Sequence, residues 1–379
     1  MKYLALTLLI LLVLVAVWDI RDSSAQNATG VPAKADIGAG KVLAEQQCKG
    51  CHGLDGKGIA PGIPNLAGQR YRYLVAALKE YREGKRIHAA VRIMAENLNE
   101  AGEHSVVAYY ASLRRPAPAK QTEIFSPYDY GKGSAKACTS CHGVNGNSTI
   151  PGTPSLSGQQ PDYFIAAIQE YLTGARENPP MLSLIRNLKS TGLESLALYF
   201  ASQTPVQRHA PLRGDPAVGE SLTVVCAGCH GFKGVSTDSA TPNLAGQDPQ
   251  YLIDALKAYR AGREHPIMQR AVSALVKSDT DAENIAAFYA IQRGTPSENG
   301  QTVIQDIANK CNRCHINSVN NPSLAIPNIN GQDKDYLIMA LRSYREGRRE
   351  SSAMHSMTLP YRDSVIEGIA SYYANQPPR

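Results

Sequence analysis

Four times along the chain an apolar stripe recurs at helical spacing. A tyrosine opens each instance, at Tyr73, Tyr163, Tyr251 and Tyr336, and a second follows eight residues later, at Tyr81, Tyr171, Tyr259 and Tyr344. That offset puts both rings on one face of an α-helix, as core-packing residues. Glycine stands three residues further on in every instance, at Gly84, Gly174, Gly262 and Gly347, where a left-handed residue would end the helix. Another helical pattern then closes on an aromatic pair: Tyr109-Tyr110, Tyr199-Phe200, Phe288-Tyr289 and Tyr372-Tyr373. No run alternating with a period of two competes with these patterns, so an all-α protein is expected.

One further apolar stretch stands apart. It runs from Tyr3 to Trp18, sixteen residues, short of the roughly 20 that a spanning helix needs. Ser23-Ser24-Ala25 follows, and a charged start, apolar core and small-residue site together read as an export signal over residues 1–25, cut after Ala25. Retention as an N-terminal anchor is the alternative. No later segment is long and apolar enough to span a bilayer, so the expected compartment is the periplasm.

An exported chain with eight cysteines would ordinarily suggest disulfides, but the spacing points elsewhere. All eight fall in four copies of C-x-x-C-H: Cys48 and Cys51 with His52, Cys138 and Cys141 with His142, Cys226 and Cys229 with His230, Cys311 and Cys314 with His315. Two thiols this close can add to the two vinyl groups on one edge of a haem, with the adjacent imidazole under the iron. A zinc site would need a fourth ligand each time. A thioredoxin-like dithiol would need alternating strands and helices.

The four histidines are 90, 88 and 85 residues apart, which makes the repeat a small domain. The expected boundaries are 35–115, 126–205, 212–293 and 298–377, with proline-rich or polar joints at Arg115 to Lys120, Thr204 to Leu212 and Gly294 to Gly300. A short helix is expected before each motif, as in Gly40 to Gln47 or Pro216 to Val225. Twelve residues after each histidine stands a proline, Pro64, Pro154, Pro242 and Pro327, opening P-N-L-A-G-Q, P-S-L-S-G-Q, P-N-L-A-G-Q and P-N-I-N-G-Q. A ligating imidazole needs its other N–H held by an acceptor, and a loop proline carbonyl at a constant offset can do this.

Iron that shuttles electrons without binding substrate needs a second axial ligand, and methionine raises the potential relative to histidine. Met181, Met268 and Met354 lie 39, 38 and 39 residues after their histidines, a recurrence that marks them as ligands. Met357 is a weaker rival to Met354, and Met339 and Met357 read as core filler. The first repeat has Val91 at this position. Met94, one turn later, is the preferred substitute and His88, one turn earlier, the second candidate. His104, His209, His265 and His355 read as exposed or capping residues.

C-x-x-C-H, then P-N-L-A-G-Q, then Y-L-x-x-A-L-x-x-Y-R-x-G, a methionine, and a last helix ending A-x-Y-A resemble class I cytochrome c, and most closely the cytochrome c₄ family. The likeness covers nearly all of residues 35 to 377, as two family lengths in series. It implies four tandem class I cytochrome c domains, four covalently bound haem c groups and no catalytic residues. The family's two domains pack about a pseudo-twofold axis, so four could form two dihaem pairs, repeats one with two and three with four, or a continuous wire. It also implies periplasmic electron delivery between a quinol-oxidising complex and a terminal oxidase or reductase. Two other readings stand beside the carrier: a haem enzyme acting on a small inorganic substrate at the irregular first haem, and a subunit associated with a membrane respiratory complex.

Charge alters little. The formal net charge is +6, and eight propionates on four haems would bring the sum near neutrality, so net charge gives a nucleic-acid role no support. Residues 35–115 hold twelve Lys or Arg against eight Asp or Glu, and residues 126–205 hold five of each. The first repeat is therefore the candidate docking face for an acidic redox partner, unless this is an ordinary solvated surface.

Overall fold

The computed structural model describes residues 30–33, 35–117, 124–209, 211, 213–298, 304–316 and 325–377. The expected signal peptide lies outside the described residues, as do parts of all three joints. Every regular element among the described residues is helical, and no helix there is long and apolar enough to cross a membrane.

Each repeat contributes four principal helices. In the first these are α1 (Ile37–Leu43), α2 (Tyr71–Arg82), α3 (Ala89–Asn97) and α4 (Glu100–Ser112), and in the second α5 (Pro127–Ala135), α6 (Pro161–Thr173), α7 (Pro179–Ile185) and α8 (Ser190–Ala201). The third has α9 (Pro216–Leu222), α10 (Pro249–Arg260), α11 (Pro266–Leu275) and α12 (Asp279–Ala290), and the fourth α13 (Ile304–His315), α14 (Lys334–Arg345), α15 (Ser352–Thr358) and α16 (Asp363–Ala374). The helices before the motif depart from their expected bounds. α1 begins at Ile37, where the Asp36 carboxylate caps Ala39 N at 2.8 Å, and passes into a π-helical turn, Ala44–Cys48. α9 stops at Leu222, because Thr223 turns its hydroxyl back on Glu220 O at 2.9 Å.

The last helix of each repeat is apolar nearly all round and forms the core. Val106 to Ala111, Leu196 to Ala201 and Ile285 to Ala290 are buried without interruption. The first helix crosses the last at glycine. A Cβ on Gly40, Gly131 or Gly219 would stand 2.0, 2.1 and 2.0 Å from the carbonyl oxygens of Ser105, Ser195 and Asn284, so only hydrogen fits there.

The described chain falls into two compact units. One combines Met1–Phe125 with Ile304–Arg379, the first repeat with the fourth, and the other is Ser126–Val303, the second with the third. The repeats are thus paired, but not as one with two and three with four. The reason lies in their loops, described below.

Candidate functional site

The loop after each C-x-x-C-H returns to its histidine through the expected proline. His52 Nδ1 lies 3.0 Å from Pro64 O, and His142, His230 and His315 Nδ1 lie 2.9 Å from the carbonyls of Pro154, Pro242 and Pro327. A carbonyl only accepts, so each Nδ1 carries the proton and each Nε2 keeps its lone pair. Burial holds all four imidazoles below their ordinary pKa, with the proline hydrogen bond opposing it. They are therefore neutral near pH 7, the form that ligates metal.

The loop is tied to the core at the glycine of its hexapeptide. Gly68, Gly158, Gly246 and Gly331 donate N–H to the carbonyls of Tyr110, Phe200, Tyr289 and Tyr373 at 2.8–2.9 Å. The aromatic pairs that close each repeat therefore anchor the histidine's acceptor as well as filling the core. Tyr109 and Tyr110 also donate to Leu54 O and Gly53 O at 2.8 and 3.0 Å, just past His52.

The first cysteine of each motif is buried or half-buried and the second is exposed. Burial pushes the Cys48 thiol up to about 11 and raises those of Cys138, Cys226 and Cys311. Among the described residues no three His, Cys, Asp or Glu converge on a metal-sized point.

The methionines and their first-repeat counterpart sit at one structural position. Each begins a helix whose cap accepts from its N–H: Asn178 from Met181 at 3.1 Å, His265 from Met268 at 3.3 Å, Ser351 from Met354 at 3.3 Å and His88 from Val91 at 3.3 Å. His88 thus occupies the place of His265, down to an edge-on contact with the preceding tyrosine, Tyr81 or Tyr259. Met94, one turn into α3, packs half-buried on its repeat's core, as Met181 and Met268 do on theirs. Met339 and Met357 are 50% and 37% exposed. They are not the core filler expected of them, because each faces outward from its helix.

Within each unit the hexapeptides of two repeats clamp each other. Gln332 Oε1 accepts from Asn65 N at 2.6 Å and Gln332 Nε2 donates to Asn65 O at 3.0 Å, while Gln69 takes Asn328 N at 2.7 Å and Asn328 O at 2.9 Å. In the second unit Gln247 holds Ser155 N at 2.7 Å and Ser155 O at 2.9 Å, and Gln159 holds Asn243 N at 2.8 Å and Asn243 O at 3.1 Å. A second contact is one-sided. Asp333 and Asp248, which cap α14 and α10, also accept from Gly62 N at 2.7 Å and Gly152 N at 2.8 Å.

The helix tyrosines, expected as core packing, also have charged partners that their spacing did not announce. In the first unit Arg349 Nη2 donates to Tyr73 OH at 2.9 Å, Arg86 Nη1 approaches the same oxygen at 3.4 Å, and Arg86 pairs with Glu80. In the second, Arg176 and Arg263 share Glu170. Burial alone would raise Tyr73, but the charges of Arg349 and Arg86 outweigh it and bring the phenol down to about 8. The signal was an arginine one or two residues past each capping glycine: Arg86, Arg176, Arg263 and Arg349.

The cytochrome c family profile matches residues 37–107. Cytochrome c4 of Azotobacter vinelandii is 30% identical over 43% of this chain and 87% of its own length. The thiosulfate dehydrogenase electron acceptor of Thiomonas intermedia is 27% identical over 43% of this chain and 82% of its own. The structure of reduced recombinant cytochrome c4 from Pseudomonas stutzeri is 28% identical, covers 44% of this chain and 98% of that one, and superposes with a TM-score of 0.40.

Proposed function

The chain belongs to the cytochrome c₄ family, a haem electron-transfer family, and from that premise we propose that it is a tetrahaem carrier working in the periplasm between a respiratory donor and a terminal oxidase or reductase. The observation that carries this reading is the fourfold imidazole geometry. Each C-x-x-C-H histidine is neutral, has its Nδ1–H held on a proline carbonyl, and is left with one lone pair beside two thiols. Four tandem domains follow, with Cys48, Cys51, Cys138, Cys141, Cys226, Cys229, Cys311 and Cys314 as covalent attachment points.

The residues present suit the group. A haem brings two carboxylates, and Arg349 Nε is buried with no partner while its Nη2 donates to Tyr73. A buried guanidinium in this state fits an anionic group. When bound, haem supplies a one-electron iron couple. The chain would hold it through the two cysteines of each C-x-x-C-H, and it orients each imidazole through the proline carbonyl. Methionine ligands keep the potentials up.

In this reading the irons would be held by His52 and Met94, His142 and Met181, His230 and Met268, and His315 and Met354. For the first site the structural equivalence of His88 with His265 supports Met94. His265 is a helix cap in a repeat that has its methionine, so a cap is what that position supplies. All eight cysteines are consumed by attachment, which supports a carrier over an enzyme with a cysteine-ligated iron. Redox proteins are the expected partners, and a dehydrogenase donor accords with the Thiomonas relative.

The test is haem per chain by pyridine haemochrome, together with titration of the near-infrared thioether-to-iron band. Four haems with four thioether signals and no carbon monoxide binding by the reduced protein are expected. Fewer than four haems per chain would sink the reading.

A further inference from the structure

The peptide group that receives each histidine proton is itself gripped from the other repeat. Pro154 O accepts from His142 Nδ1 at 2.9 Å, and the N–H of the same peptide, on Ser155, donates to Gln247 Oε1 at 2.7 Å. In the mirror direction Pro242 O accepts from His230 at 2.9 Å, and Asn243 N donates to Gln159 Oε1 at 2.8 Å. The first unit repeats the arrangement twice, through Asn65 N to Gln332 and Asn328 N to Gln69. All four glutamines are buried, so water does not replace them as acceptors.

We propose that these glutamines are positioning residues that tune, across the repeat boundary, the iron site of the partner repeat: Gln247 sets the site of His142, Gln159 that of His230, Gln332 that of His52, and Gln69 that of His315. The inference rests on the carrier reading above. Its physics is the mutual polarisation of hydrogen bonds in series. An acceptor on the peptide N–H makes the carbonyl of that peptide a stronger acceptor, by roughly 10–30% per bond in a low-dielectric interior. A stronger acceptor on Nδ1–H shifts electron density to Nε2, and a more basic imidazole favours ferric over ferrous iron. Each glutamine therefore lowers the potential of the other repeat's haem. Its own histidine is untouched by this route, because the relay runs in one direction from any given glutamine.

The second unit offers the cleaner test, since both its methionines are in register. Gln247→Met and Gln159→Met are nearly isosteric and remove the oxygen. The potentials of haems two and three are read separately by NMR-monitored redox titration of the reduced protein's axial-methionine methyl signals, with the ¹⁵N shift of each proximal Nδ1 recorded alongside. In Gln247→Met the reduction equilibrium of haem two should move toward ferrous by about threefold, the order expected for a hydrogen bond altered by that fraction. The His142 Nδ1 signal should move with it, while haem three stays. Gln159→Met should give the same result with the haems exchanged.

A shift of both haems in either variant means a loosened interface and overturns the proposal, as does a shift confined to the haem of the substituted repeat, or none. If one variant fails to load its haems, the mirror variant carries the test, and Gln69→Met and Gln332→Met provide two more. Failure of the underlying reading is distinguishable, because it appears as fewer than four haems in the unsubstituted protein.

Discussion

Replacing Gly131 by alanine puts a methyl carbon 2.1 Å from Ser195 O, where real Cβ contacts essentially never fall below 3.0 Å. Helix α5 must then back away from α8 by about 0.9 Å, or α8 must bend. The obstacle is a backbone carbonyl inside a buried helix, which cannot rotate aside as a side chain would. Overpacking of this kind costs about 1–3 kcal/mol, and the upper end applies here, while alanine's better helix preference offsets ~1 kcal/mol. The net expectation is a loss of about 2 kcal/mol, or roughly 4–8 °C for a unit of this size. Gly133 is the internal control. It sits two residues away on the same helix with no atom within 4 Å of an added Cβ, so Gly133→Ala should gain up to ~1 kcal/mol. Thermal unfolding of the oxidised holoprotein, followed at the thioether-to-iron band, measures both. The second unit's transition must be read by itself, because two units need not unfold as one. Midpoints moving in the same direction for the two variants, or an unchanged Gly131→Ala, would refute the close helix crossing.

Three further outcomes are expected. Met94→Leu should remove one thioether signal in four and let the reduced protein bind one carbon monoxide per chain, and Val91→Met added to it should restore the band; His88→Ala should leave the band intact and cost only a cap, about 0.5–2 kcal/mol. Arg349→Met should lower the first unit's unfolding midpoint by the equivalent of about 2 kcal/mol, the worth of a buried charged hydrogen bond, whereas the exposed neighbour Arg348→Met should stay within ~0.5 kcal/mol, compared by chemical denaturation. Residues 126–298 expressed alone should carry two haems per chain, since both repeats of that unit are present, while residues 26–125 alone should load less than one; haemochrome against protein mass decides it.

What was legible in the sequence was whatever depends on offset along the chain. The proline twelve residues past each histidine, the tyrosine pairs and the glycines that end α2, α6, α10 and α14 all reappear as hydrogen bonds, buried faces and positive φ values. The cross-repeat contacts were not legible in that way. The hexapeptides are nearly the same in every repeat, so their complementarity fits any two, and the glutamine clamp says nothing about which repeats pair. A discriminating signal was present in the residues beside it. The residue after the glutamine is Arg70, Gln160, Asp248 or Asp333, and the residue two before the proline is Gly62, Gly152, Ala240 or Ala325. Repeats one and two have no carboxylate after the glutamine and so cannot make this contact with each other, whereas Asp333 and Asp248 of repeats four and three each meet a glycine N–H of repeat one or two. The arginines beyond the capping glycines escaped notice for a different reason: a charged residue past a helix end reads as solvated surface until burial shows otherwise.

The chain of the second unit lies, in sequence, between the two segments of the first. Polypeptides are made from the N-terminus, so this order has a consequence for assembly. The first repeat is synthesised first yet must wait longest, because the carboxylate and glutamine it binds, Asp333 and Gln332, arrive about 270 residues after their partners Gly62 and Asn65. The inner pair closes meanwhile. A chain stopped early would therefore carry a finished inner couple and a bachelor first repeat, its loop glycine and hexapeptide still open to any other Asp-bearing repeat nearby.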